Sequence, residues 1–166
     1  MKDLYFIGGT MGVGKTTTCR VLQQSLPDCV FLDGDWCWDM HPFTVTEETK
    51  RMVVENIAFL LNQFLRCSAY KNIVFCWVMH RQEIIDDLLS RLDRTDCRVH
   101  TVSLVCSPAA LTARPEKDVQ AGLRTGDVIP RSLARLPLYA ELATEKLDVS
   151  ALTPGEAARA IVEKYP

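Results

Sequence analysis

Residues Gly9-Thr10-Met11-Gly12-Val13-Gly14-Lys15-Thr16 read G-x-x-x-x-G-K-T, and no other stretch of this chain narrows its fold as much. The pattern is a phosphate-binding loop, which has meaning only between a strand and a helix. Both neighbours are present. Leu4-Tyr5-Phe6-Ile7 is a short apolar run suited to a buried strand, and Thr16 to Leu26 can be helical. Glycines let main-chain N–H groups converge on a phosphate, and the helix adds the positive end of its dipole. Lys15 then reaches the β- and γ-phosphates, and the Thr16 hydroxyl ligates Mg²⁺. Gly9, Thr10, Gly12, Val13, Gly14, Lys15, Thr16 and Thr17 are the expected nucleotide-binding residues. The alternative, a glycine-rich turn with a surface lysine, fits the context less well.

Beyond the loop, apolar runs alternate with helix-period segments. Strands are expected at Asp3–Gly8, Cys29–Leu32, Asn72–Val78, Arg98–Cys106 and Lys146–Ser150. Pro27 stops the first helix. Thr44 with Glu47 suggests a capping box for a long second helix, in which Val53, Ile57, Leu61 and Leu65 recur at helical spacing. A further helix is expected over Gln82–Leu92, and Pro154 opens the closing one. Alternating β and α elements predict a parallel sheet with helices on both faces, a three-layer α/β/α fold. Right-handed crossovers place the loops after strands one to three along one edge, where ligands bind. At 166 residues the chain is expected to be one domain, 1–166, with a lid over about 108–137.

The 19 Lys and Arg are balanced by 21 Asp and Glu, so nucleic-acid binding through bulk charge is not expected. No apolar run approaches the roughly 20 residues of a membrane span. Strand one begins almost at Met1, so no signal peptide is expected. The seven cysteines form no C-x-x-C pair. Reduced thiols in a cytoplasmic protein, monomeric or homodimeric, are the expected state.

Leu32-Asp33-Gly34-Asp35 closes strand two with two carboxylates facing the phosphate loop. One suits a general base that takes the proton of an attacking hydroxyl, the other a Mg²⁺ contact. A plain Asp-Gly turn is the alternative. Trp36, Trp38, Met40, Pro42 and Phe43 follow, either as an acceptor pocket or as a hydrophobic plug. Cys37 lies among them. No Asp or Glu lies between Asn72 and His80, which speaks against a motor or AAA-type ATPase. His80 reads more readily as a capping or surface residue than as a substrate contact. Arg114, Arg124, Arg131 and Arg135, with Lys117, form a cationic stretch suited to a lid. Arg124 and Arg131 are taken as contacts for the transferring phosphoryl group. Gly122 and Gly126 are hinge candidates, and Pro115 suggests a kink.

The chain resembles the small P-loop kinases of the adenylate-kinase-like superfamily, including shikimate, gluconate and adenylylsulfate kinases. Leu32-Asp33-Gly34-Asp35 is similar to the strand-two motif of adenylylsulfate kinases. Asp35 through Pro42 resembles the chloramphenicol phosphotransferase segment that carries the catalytic aspartate. The frame Ile73 to Arg114 looks like the tunicamycin-resistance family. The resemblance implies an ATP donor, a five-stranded sheet of order 2-3-1-4-5, Asp35 as base and Arg114 on adenine. Asp33 is expected to support the metal, with Thr16, or the substrate. The residues after Asp35 depart from the adenylylsulfate kinase pattern, so no acceptor is carried over. A Mg-ATP-dependent phosphotransferase acting on a small acceptor is expected, nucleosides, nucleotides and metabolites being candidates. The alternatives are an antibiotic-modifying kinase and a regulatory nucleotide-binding ATPase.

Overall fold

Strand β1 (Lys2–Gly8) divides the molecule. Successive side chains of a strand point to opposite faces. Leu4 and Phe6 therefore enter one core and Tyr5 and Ile7 the other, all four fully buried. The computed structural model describes residues 1–113 and 128–166.

After β1 come α1 (Lys15–Ser25), β2 (Cys29–Asp33), a 3-10 helix (Gly34–Trp38), α2 (Glu47–Arg66), β3 (Asn72–Trp77), α3 (Gln82–Ser90) and β4 (Cys97–Val105). The described part of α4 is 108–113. Then follow α5 (Val128–Arg135), a second 3-10 helix (Leu136–Glu141), β5 (Glu145–Asp148) and α6 (Pro154–Lys164). The sheet order is β2-β3-β1-β4-β5, and every pairing is parallel. Helices α1 and α6 cover one face through Leu22 and Ile161. Helices α2 and α3 cover the other through Ile57, Leu61 and Leu88. This is the expected three-layer α/β/α arrangement, with strand ends within two residues of those expected.

The start of α2 differs from the sequence reading. Thr46, not Thr44, is the N-cap. It accepts from the Thr49 amide at 3.1 Å, and the Thr49 hydroxyl accepts from the Thr46 amide at 2.8 Å. A threonine at the third helical position thus does the work expected of Glu47. The expected helical stretch from Pro108 is seen at 108–113 and from Val128 onward. Arg114, Pro115, Lys117, Gly122, Arg124 and Gly126 lie outside the described residues. Among the described residues no helix is long and apolar enough to cross a membrane.

The register sets the site. Gly8 lies beside Trp77, and Asp33 beside Cys76. The ends of β1, β2 and β3 therefore open onto one edge, where the phosphate loop, the Asp33–Asp35 turn and His80 meet.

Candidate active site

Two glycines hold the phosphate loop for different reasons. At Gly9 a Cβ would lie 2.7 Å from Val13 Cγ1 and 3.0 Å from the Leu104 carbonyl oxygen, so there is no room for one. Gly14 has open space around it, but its φ of 101° is a conformation that L side chains avoid. Gly14 is also the N-cap of α1, and no side chain caps that end. The first-turn amides are left to face an anion.

Lys15 follows directly and is 9% exposed. Its Nζ donates to the Thr10 carbonyl at 3.0 Å. Burial pulls its pKa below the ordinary lysine value, opposed by Cys76 and by the Asp35 and Asp33 carboxylates nearby. A polyanion at this position would favour the charged form.

Asp33 and Asp35 share the crevice but differ in position. Asp33 is buried; its Oδ2 accepts from the Thr16 hydroxyl at 2.7 Å and its Oδ1 from the Asp35 amide at 3.0 Å. It therefore caps the first 3-10 helix and ties β2 to α1. Asp35 is exposed and lines a cleft of about 100 Å³ with Lys15, Thr16 and Thr17. The Thr16 hydroxyl and the Asp33 carboxylate are hard oxygen donors. Mg²⁺ binds through one or two such groups plus phosphate oxygens and water, so the pair fits that ion.

Residues three apart eclipse in a 3-10 helix. Asp35 and Trp38 therefore project from the same side of Gly34–Trp38. Trp38 opens onto a second cavity of about 840 Å³, shared with Trp77, His80, Arg81 and Arg135. Trp77 can approach because residue 34 is glycine: a Cβ there would meet the indole at 2.6 Å.

His80 is neither a cap nor a surface residue, contrary to the sequence reading. Arg81 is the N-cap of α3, and no side chain caps it. His80 is half-buried, and its Nδ1 has no hydrogen-bond partner among the described residues. Burial, then Arg135 and Arg81, hold its pKa below the usual histidine value.

The members of the aromatic cluster have different surroundings. Trp36 is 46% exposed and packs edge-on to Phe31, with the Arg20 guanidinium over both rings. Trp38 lines the larger cavity and packs on Phe43, with ring centroids 5.6 Å apart. Cys37 packs against the core, and burial raises its pKa. All seven cysteines are free thiols.

Helix α5 is fastened to the phosphate loop. The Ser132 hydroxyl donates to the Met11 carbonyl at 2.7 Å, and the Thr10 hydroxyl donates to the Ser132 carbonyl at 2.9 Å. The Thr10 side chain is thereby committed to α5. Arg131, one residue earlier, is exposed. Arg135 lines the larger cavity. Tyr139 is buried, with its hydroxyl against the Gly9 backbone. Sequence reasoning missed Ser132, Arg81 and Trp77. Val128, Ser132 and Arg135 recur at i, i+4 and i+7, a spacing that puts them on one helix face.

A glycine-shaped anion cradle at a helix N-terminus, a buried lysine and a carboxylate-anchored threonine define a P-loop nucleotide-binding domain. The chain belongs to the AAA domain family, whose model matches residues 6–123. Strand β3 itself carries no carboxylate. The nearest equivalent is Asp33, one strand over and in register with Cys76. None of the curated proteins matches the chain.

The fold is shared with several solved structures. The Deinococcus radiodurans tunicamycin resistance protein superposes with a TM-score of 0.68 at 16% identity, covering 99% of this chain and 95% of that one. A gluconokinase from Sinorhizobium meliloti 1021 gives 0.66 at 18%, covering 95% and 87%. Shikimate kinase from Acinetobacter baumannii, in complex with shikimate, gives 0.65 at 19%, covering 99% and 92%.

Proposed function

We propose that this protein is a Mg-ATP-dependent kinase that phosphorylates a hydroxyl group of a small molecule. One observation carries the reading: Asp35 lines the phosphate-loop cleft, and Trp38, three residues on and on the same side of the 3-10 helix, lines a cavity of small-molecule size. The solved gluconokinase and shikimate kinase structures, which share the fold, are in keeping with it.

Main-chain amides from Gly9 to Thr17 would hold the triphosphate, with Lys15 on the β- and γ-phosphates. Thr16 and Asp33 would hold Mg²⁺, which neutralises phosphate charge when bound. The acceptor oxygen bonds to the γ-phosphorus as the bond to the β-phosphate oxygen breaks. The hydroxyl proton passes to Asp35, and ADP departs. Arg131 and Arg124 are assigned to the transferring group, and Arg114 to adenine. The unit is read as one domain, with 108–137 as its closing segment. Free thiols throughout suit a cytoplasmic enzyme.

The test is ADP release with and without a panel of hydroxylated acceptors. Acceptor-dependent release that Asp35→Asn lowers by about a hundredfold or more supports the kinase. Acceptor-independent turnover, untouched by Asp35→Asn, overturns it in favour of a nucleotide-hydrolysing regulator.

A further inference from the structure

We propose that the acceptor is an anionic molecule with a flat apolar body. Its acidic group is held between Arg81 and Arg135, and its body lies along Trp38 and Trp77. This rests on the kinase reading and names the substrate class of the same site.

The cavity near His80 has two kinds of wall. Its apolar walls are two indoles with Val54 and Ile84. Flat ligands bury much area on such rings and stack at favourable offsets. Its volume of about 840 Å³ suits a whole small molecule rather than a water cluster.

The charged walls are not neutral in effect. Asp87 accepts from Arg91 Nε at 3.0 Å, and Lys50 bonds Glu47 at 3.1 Å. Those two lining charges are therefore partnered along their own helices. Among the described residues Arg81 and Arg135 form no ion pair. Glu83 remains, and among the described residues it forms no ion pair with either arginine. Two guanidinium groups are thus set against one carboxylate.

The arginines also converge. Arg81 stands at the start of α3 and Arg135 at the end of α5, yet both line the same cavity as His80, and both oppose its protonation. Two cations lining one cavity repel each other, and an anion bound between them offsets that repulsion. Guanidinium forks match the oxygens of a carboxylate or a phosphate. A cationic acceptor would meet the same charges with the opposite sign.

The test is equilibrium binding, followed by tryptophan fluorescence with a non-hydrolysable ATP analogue present. The probes share one hydroxylated ring: 4-(hydroxymethyl)benzoate, 4-(hydroxymethyl)phenyl phosphate, the neutral 4-(hydroxymethyl)benzamide and the cationic 4-(hydroxymethyl)benzylamine. The two anions are expected to bind about tenfold tighter than the amide. The double variant Arg81→Gln, Arg135→Gln should erase that preference, and its thermal stabilisation by the ATP analogue reports that it is folded. Trp38→Leu should weaken the benzoate more than an open-chain hydroxy acid. Equal or tighter binding of the amide or amine overturns the proposal, as does a preference that survives the double variant. Failure of every probe to bind overturns it too. ADP release with neutral acceptors alone would sink the anionic site and keep the kinase. An anion preference without any ADP release would keep the site and sink the kinase.

Discussion

The Ser132 hydroxyl donates to the carbonyl of Met11 at 2.7 Å, across 121 positions of chain. The return bond, from the Thr10 hydroxyl to the Ser132 carbonyl, makes the contact reciprocal. Helix α5 and the phosphate loop are therefore tied to each other by two hydrogen bonds. Ser132→Ala removes one buried bond and is expected to cost about 1–2 kcal/mol in urea unfolding. If α5 also delivers its arginines to the reaction, kcat should fall more than the KM for nucleotide rises.

Asp33 holds two donors at once, the Thr16 hydroxyl and the Asp35 amide. Asp33→Ala removes the acceptor that both donors share, at a part-buried place. A loss of about 2–3 kcal/mol is expected, read as a lower unfolding midpoint. Asp33→Asn keeps an acceptor oxygen and should recover part of it. Equal losses for the two substitutions would remove the hydrogen-bond explanation.

Lys15 is buried, and its pKa is lowered chiefly by desolvation. The unfolded chain then binds the proton more readily than the folded one. Stability from this group rises with pH between its folded pKa and the ordinary lysine value of about 10.4, and is lowest below that window. Lys15→Met should therefore stabilise the nucleotide-free protein at neutral pH while abolishing nucleotide binding. The advantage should shrink as pH rises through the window. Paired denaturation curves at several pH values measure it, and a gap that widens with pH would contradict it.

Leu61 and Phe59 are neighbours on α2 with opposite fates: Leu61 is fully buried and Phe59 is 63% exposed. Leu61→Ala is expected to cost about 3 kcal/mol through lost burial and a residual cavity. Phe59→Ala should stay within about 0.5 kcal/mol. Chemical denaturation of both variants provides the comparison.

Much of this was legible in the chain because it depends on local spacing. Gly9 to Thr16 named the loop, and the alternation of Leu4, Tyr5, Phe6 and Ile7 foretold a strand buried on both faces. Local spacing failed where two signals competed. Thr44 and Thr46 both offered a cap for α2, and only the helix start chose between them. His80 looked peripheral because nothing near it in sequence announces the arginine that reaches it from α5. The arginine-bearing stretch gave cations but no orientation, so spacing alone did not single out Arg135 over Arg131 for the cavity.

The sequence by itself determined the phosphate loop, the order of strands and helices and the two-sided burial of the sheet, since backbone conformation and side-chain period are properties of neighbouring residues. Tertiary structure alone decided that Asp33 would anchor Thr16, that Ser132 would fasten α5 to Thr10 and Met11, and that two indoles and two guanidinium groups would meet around His80. Those contacts join residues tens of positions apart. They exist only once the parallel sheet has brought the ends of β1, β2 and β3 to one edge.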